Sequence, residues 1–293
     1  MNVARRADEL EPADRAVALG TFDGVHLGHR RVIDAALRAA ESDGLRSAVL
    51  TFDPHPRTVV GSVPVQLLAT TQRRLELFDE LGVDDVLLLR FDEALASLAA
   101  EAFAESVLGR AGARVVAAGE GFRFGHGRTG DLELLERLGF DVRRVPIVEN
   151  VSSSHIRRLV ASGDVEQAAR LLGRPVEVEG TVVHGRHRGE ELGFPTANLD
   201  VPAGLLIPAE GVYAGAALGH RAAVSIGTNP HFGGTELQVE AYVLDYAGDL
   251  YAERLVVELW ERLRDQQVFG SEAELVAAID DDVARTRAAF RPA

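Results

Sequence analysis

The chain has 293 residues and 31 basic side chains besides histidine, all of them arginine; lysine and cysteine are both absent. Without lysine there is no Walker A P-loop, Schiff-base enzyme or lysine-dependent protein kinase site, and without cysteine no disulfide, thiolate nucleophile or cysteine-ligated zinc. A composition 46% hydrophobic and 26% charged fits one large or two ordinary folded domains, and a net charge of −14 excludes the positive footprint that a nucleic-acid partner needs.

The charge is uneven: residues 1–175 hold 22 Arg against 26 Asp and Glu, and the remainder 9 against 19, so neither half is basic. The opening MNVARRADELEPADRA has no apolar signal core, and no apolar run approaches the length of a membrane span. These features predict a soluble cytoplasmic protein that handles phosphates, if at all, through arginine, histidine, backbone N–H groups and metal.

From Val17 to about Gly173, short apolar runs alternate with helical stretches. Strands are expected at Val17–Leu19, Ser47–Phe52, Val86–Phe91 and Val115–Ala118, and helices at Arg30–Glu41, Arg73–Leu81 and Leu95–Leu108. That order predicts an α/β unit with a mostly parallel sheet, whose ligands sit at the carboxyl ends of the strands. After Gly173-Arg174-Pro175 the pattern shifts to period two, with strands expected at Val176–His184, Gly211–Leu218, Ala222–Ile226, Leu237–Asp245 and Leu255–Trp260. Such spacing predicts a small antiparallel barrel or sandwich, closed by a helix over Glu272–Ala289. The domains are therefore expected to be 1–174 and 175–293.

The richest segment, Gly20-Thr21-Phe22-Asp23-Gly24-Val25-His26-Leu27-Gly28-His29, joins the first strand to the first helix. Glycines let the backbone approach a ligand closely, the helix start presents free N–H groups and the positive dipole end, and two histidines add donors. This is an anion site built without lysine. Further blocks follow in order: Thr51-Phe52-Asp53-Pro54-His55-Pro56, Gly119 to Gly125 with Gly130-Asp131, and Ser152-Ser153-Ser154-His155-Ile156-Arg157. Taken locally, the proline-bounded segment is also a plain turn, Phe122, Arg123 and Phe124 also read as strand-end packing, and the serine run is also a helix N-cap.

Together these blocks resemble the nucleotidylyltransferase signature of the prokaryotic bifunctional riboflavin kinase/FMN adenylyltransferase (FAD synthetase) family. The resemblance covers almost the whole chain. It implies that FMN phosphate attacks the α-phosphorus of ATP, with Gly20, Phe22, Asp23, Gly24, His26, Gly28 and His29 around the nucleotide and Ser153, Ser154 and Arg157 on its phosphates. FMN is expected against Asp53, Pro54, His55, Phe122, Phe124 and Asp131. At Gly121 the family usually carries Asn or Asp, and the segment before Ser152 is shorter than expected.

In the second half, Gly180 to Gly185 and Leu192-Gly193-Phe194-Pro195-Thr196-Ala197-Asn198 resemble the family's riboflavin kinase signature. The resemblance implies a nucleotide flap using Gly185, Gly193 and Pro195, with Thr196 and Asn198 holding Mg²⁺–ATP. Riboflavin is expected near Gly211, Val212, Tyr213, Arg264 and Phe269. Period-two patterning puts Gln238, Glu240 and Tyr242 on the face opposite Leu237, Val239, Ala241 and Val243, a setting in which a glutamate is usually just solvated. The family's Val-Glu strand makes Glu240 the expected base toward the ribityl 5′-hydroxyl.

In this half three positions depart from the family pattern: Glu190 where arginine is usual, and Asn229 and His231 where Arg and Thr are usual, with Arg186 or Arg188 nearby to restore the charge. Three readings follow. The chain is a bifunctional enzyme; or an adenylyltransferase whose kinase half only binds flavin; or a non-catalytic flavin-responsive binding protein. ATP, riboflavin and FMN are the expected small-molecule partners, and the oligomeric state stays open.

Overall fold

The protein is described by a computed structural model covering residues 1–61, 65–185, 192–228 and 237–292. Contacts divide it into two compact units, Met1–Val65 with Thr70–Ser152, and Gln66–Ala69 with Ser153–Ala293.

The first unit is an α/β sheet. Its elements in chain order are β1 (Asn2–Ala4), β2 (Arg15–Leu19), α1 (Leu27–Asp43), β3 (Arg46–Asp53), α2 (Pro56–Val60), α3 (Thr71–Glu80), β4 (Asp85–Arg90), α4 (Glu93–Ala96), α5 (Ala100–Phe103), β5 (Ala113–Gly119), α6 (Leu132–Arg137) and β6 (Asp141–Val145). The six strands pair in parallel in the order β1-β4-β3-β2-β5-β6. β2 is buried along its whole length, as a strand covered by helices on both faces must be. The order turns back at β2, between β3 and β5, and the crevice at such a switch point is where ligands bind.

The helix expected over Leu95–Leu108 is instead broken into α4, α5 and a wider π-type turn over Ala104–Gly109. The interruption lies at residues 97–99, where the Leu98 carbonyl accepts from the His126 N–H of the β5–α6 connection. β1 and β6 flank the sheet and lie outside the four expected strands. The β6 burial pattern is mostly exposed, which hides it from a search for apolar runs.

The second unit begins with α7 (Ser153–Ala161) and α8 (Val165–Leu172) and continues through β7 (Val176–Val183), β8 (Ala197–Asp200), β9 (Gly211–Ala217), β10 (His220–Thr228), β11 (Leu237–Val243), β12 (Arg254–Arg264) and α9 (Glu272–Ala288). The strands close a barrel in the order β10-β11-β8-β7-β12-β9, every pair antiparallel. Inward residues such as Val178, Leu199, Tyr213, Val224, Val239 and Val257 join Ile156, Val160 and Leu172 of α7 and α8 in one core. The contact division thus groups α7 and α8 with the barrel, although the fold-class shift in the sequence falls after them. Among the described residues no helix is long and apolar enough to cross a membrane.

Polar anchors dock α9 more than an apolar stripe does. Its buried residues are Asp282 and Thr286. Asp282 receives Arg264 bidentately at 2.7–3.1 Å, and Arg221 donates to the carbonyls of Thr286 and Ala289 at 2.8 and 2.6 Å.

Candidate active sites

The β2–α1 turn is shaped by strained backbone. Phe22 and Val25 hold φ of 49° and 40°, and Gly24 holds 79°, so the chain folds back tightly before the helix. Residues of that shape cost energy unless their surroundings impose them, and here the Phe22 and Val25 side chains are buried in the core between sheet and helices. His26 caps α1, its Nδ1 accepting from the His29 N–H at 3.2 Å. The two imidazoles stack with centroids 3.5 Å apart and planes 16° from parallel, and Phe22 meets the His29 ring edge-on at 5.3 Å.

Gly28 makes the stack possible. A Cβ there would lie 3.1 Å from His26 Cε1 and 3.2 Å from Nδ1. Gly20 plays the same part for Phe22, whose ring atoms would lie 3.0–3.2 Å from an added Cβ. Asp23 and His26 are both buried. The sequence-predicted nucleotide cluster Gly20, Phe22, Asp23, Gly24, His26, Gly28 and His29 is therefore one compact construction at the start of a 17-residue helix, where N–H groups and dipole favour an anion.

The β3 end supplies Asp53, Pro54 and His55. Asp53 Oδ1 accepts from Thr71 Oγ1 at 3.0 Å, and His55 caps α2 by accepting from the Arg57 N–H at 3.2 Å. Arg74, unnoticed in the sequence, ties the β2 and β3 ends together. It is buried and donates to the Thr21 carbonyl at 3.0 Å, the Phe52 carbonyl at 3.1 Å and the Thr71 hydroxyl at 3.2 Å. Burial pulls its guanidinium below the ordinary arginine range, against the pull of Asp23 and Asp53. The only sequence signal was its place one residue after Arg73 on an amphipathic helix.

At the β5 end, Phe122 and Phe124 stack with centroids 6.2 Å apart, and Phe124 is buried in the core with Phe103. Phe122 is the more accessible ring of the two. Asp131 caps α6 through the Leu134 N–H at 2.9 Å and pairs with Arg123 at 3.0 Å. The backbone hydrogen bond, and then Arg123, hold its carboxyl below the usual range despite some desolvation. An added Cβ at Gly121 has its nearest neighbour at 3.9 Å, so the side chain usual in the family has room there.

Ser153, Ser154 and Arg157 lie on α7 in the second unit, where Arg157 Nε donates to the Gln66 carbonyl at 2.7 Å.

In the barrel, register does the assembly. Glu240 on β11 stands directly opposite Asn198 on β8 on one side and Ser225 on β10 on the other. All three are part-exposed while Leu199, Val224, Ile226, Val239 and Ala241 point into the core, so they form a polar row on the barrel's outer face. Gly185, just after β7, runs so close to Asn198 that any side chain at 185 would overlap its amide. Gly193 holds φ of 87° with no atom within 4 Å of an added Cβ, and Pro195 and Thr196 lead directly into β8. Phe194 meets Tyr242 edge-on at 5.7 Å, which carries this segment onto the Glu240 strand.

The residues expected near riboflavin divide. Gly211 opens β9, but Val212 packs with Trp260, Leu263 and Ala289, and Tyr213 is fully buried with its hydroxyl donating to the Ala209 carbonyl at 2.6 Å. Burial also pushes the Tyr213 phenol above its ordinary range. Only backbone is thus left in this segment to face a ligand. Arg264 lies over the Phe269 ring at 5.6 Å while Asp282 holds its guanidinium. Glu190, Asn229 and His231, with Arg186 and Arg188, lie outside the described residues. Among the described residues no three His, Asp or Glu side chains group to hold a metal ion.

Comparison with known proteins agrees with both halves. The FAD synthetase family model matches residues 8–157 and the riboflavin kinase family model residues 172–290. The bifunctional riboflavin kinase/FMN adenylyltransferase of Listeria monocytogenes is 36% identical over 97% of this chain and 95% of its own, and that of Pseudomonas fluorescens 34% identical over 100% and 99%. A crystal structure named as a macrolide-efflux protein from Streptococcus pneumoniae superposes with a TM-score of 0.87 at 31% identity, covering 97% of this chain and 98% of that one. With two consecutive family models and near full-length relatives in agreement with the motifs, the chain belongs to the bifunctional riboflavin kinase/FMN adenylyltransferase family.

Proposed function

We propose that the chain makes FMN from riboflavin in its barrel and FAD from FMN in its α/β unit, using ATP in both. Family membership supports the pair of activities, and the observation that carries their separation is that the His26–His29 stack and the Glu240–Asn198 pair are built in different units.

In the kinase half, Glu240 takes the proton of the ribityl 5′-hydroxyl as its oxygen bonds to the ATP γ-phosphorus. The bond from that phosphorus to the bridging oxygen breaks, and ADP leaves with the electron pair. Thr196 and Asn198 are hard oxygen donors of the kind Mg²⁺ accepts beside phosphate oxygens and water, so they fit a nucleotide-borne metal. When bound, Mg²⁺ supplies charge neutralisation on the phosphates. In the other half, an FMN phosphate oxygen bonds to the α-phosphorus and pyrophosphate leaves. His26, His29 and the start of α1 meet the negative charge that grows on the transferred group, and no covalent enzyme intermediate is needed. Asp53, Pro54, His55 and Phe122 are the proposed flavin side of that site, with Asp131 and Phe124 supporting the loop that carries it. We place the enzyme in the cytoplasm, with no nucleic-acid or membrane partner.

The test is to incubate purified protein with riboflavin, ATP and Mg²⁺ and separate the flavins. FMN and FAD together support the bifunctional reading. FAD formed only from supplied FMN supports the adenylyltransferase with a flavin-binding barrel, which Glu190 would favour. Flavin binding without either product would overturn both enzyme readings.

A further inference from the structure

We propose that Thr71 and Arg74 are positioning residues for Asp53: they fix one oxygen of its carboxylate so that the other accepts a hydrogen bond from FMN. The inference rests on the reading of Asp53 as part of the flavin side of the adenylyltransferase site. Asp53 is the last residue of β3, and its carbonyl is held by the Phe91 N–H just beyond β4 at 3.1 Å. Its side chain remains 38% exposed, so a ligand at the carboxyl ends of the strands can reach it.

The start of α3 sets that side chain. Thr70 caps the helix by accepting from the Arg73 N–H at 3.0 Å, so the Thr71 hydroxyl, at the first helical position, has no capping role. Thr71 and Arg74 stand three residues apart on α3, where side chains are neighbours. Arg74 Nη2 donates to Thr71 Oγ1 at 3.2 Å and to the Phe52 carbonyl at 3.1 Å, while Nη1 donates to the Thr21 carbonyl at 3.0 Å and reaches the Thr51 hydroxyl at 3.4 Å. A guanidinium has no acceptor, and a hydroxyl has one hydrogen and two lone pairs. Arg74 therefore takes a lone pair of Thr71, and the single hydrogen goes to Asp53 Oδ1 at 3.0 Å. One buried guanidinium thus fixes both the carbonyl just before Asp53 and the hydroxyl that holds its carboxylate. Among the described residues Oδ2 meets Arg5 at 3.7 Å, too far for a hydrogen bond, so it is the oxygen left to accept from a ligand. A carboxylate there repels the anionic phosphate end of FMN and suits its donors, the ribityl hydroxyls and the ring N–H.

The experiment measures kcat and KM for FAD formation from FMN and ATP on the full-length protein. Thr71→Val, which keeps the branched shape and loses the hydroxyl, is expected to raise KM for FMN about tenfold, the scale of one hydrogen bond to a charged group. Its kcat and its KM for ATP stay within about twofold of the parent, the pattern of a lost binding contact. Thr71→Ala, which adds no methyl where the hydroxyl was, shows the same split. Thr71→Ser keeps the hydroxyl and returns KM for FMN to within about threefold of the parent. Because Thr71 acts through Asp53, Thr71→Val with Asp53→Asn together raise KM for FMN by less than the product of the two single effects. An unchanged KM for FMN in Thr71→Val beside a raised one in Asp53→Asn would overturn the positioning role and leave Asp53 on the flavin side. Equal rises in KM for FMN and ATP, loss of turnover in both Thr71→Val and Thr71→Ala, or a Thr71→Ser variant no better than Thr71→Val would overturn it as a packing effect. An unchanged KM for FMN in Asp53→Asn would overturn the flavin-side reading of Asp53 and the positioning role with it.

Discussion

The two sites are assembled in opposite ways. In the α/β unit a single ten-residue stretch makes the proposed nucleotide cluster: a strand end, three positive-φ residues, a histidine cap and a helix start follow one another in the chain. In the barrel, Asn198, Ser225 and Glu240 come from three strands and meet only because β8, β11 and β10 pair in one register. A one-residue slip of β11 would turn Glu240 into the core and bring Val239 outward. The first site is therefore a local structure made rigid by its own backbone, and the second a product of barrel closure.

The largest test of this contrast exchanges the activities. Glu240→Ala is expected to lower FMN formation by about a hundredfold or more and to spare FAD formation from FMN, while His29→Ala does the reverse. Loss of both activities in either folded variant would show that the two sites do not work separately.

Next in size is an anchor peculiar to the α/β unit. At the amino ends of its strands, Asp85 is buried and receives Arg15 at 2.9 Å and Arg46 at 2.8 and 2.9 Å. Burial by itself would raise this carboxyl, but the hydrogen bonds from Arg46 and Arg15 outweigh it and hold it below the usual range. A carboxyl depressed in the folded state contributes stability that is present above its unfolded pKa of about 3.9 and is lost as pH falls through the lower folded value. Asp85→Asn is expected to cost about 3 kcal/mol near neutral pH by stranding Arg15, and to flatten acid unfolding below about pH 4. Denaturant melts of parent and variant at several pH values check both effects.

A smaller effect belongs to Arg74. Arg74→Met keeps much of the side-chain volume but leaves the Thr21 and Phe52 carbonyls without their donor, so a loss of about 2 kcal/mol is expected, with FAD formation falling and the kinase retained. The smallest expected effect is the most local. Gly28→Ala improves helix propensity but crowds the His26 ring, so FAD formation should fall about tenfold while thermal stability holds or rises slightly. A fall in stability with unchanged activity would show that the imidazole stack is packing only.

The elements most legible in the sequence were those with local causes. The glycines and histidines of residues 20–29 announced a strand–turn–helix junction. The glycine C-cap at Gly44, in the left-handed region, closes a helix whose apolar spacing was already visible. Asp131 and Phe124 were noticed for their motif, yet what they do in the fold is cap a helix and fill a core. Tyr213 likewise looked like a ligand contact, and closure of the barrel put it inside. Arg74 gave no signal, because an arginine on a helix acquires a role only from the carbonyls that folding brings opposite.

The sequence by itself determined that any phosphate bound here is met without a lysine ammonium group, that residues 20–29 join a strand to a helix, and that the fold changes class near residue 175. Those follow from composition and from interactions spanning a few residues. Tertiary structure alone decided which residues flank Glu240, that Arg74 joins two strand ends, and that α7 and α8 pack with the barrel. Each of these depends on contacts between segments far apart in the chain, and periodicity shows which face a residue occupies but not what stands across from it.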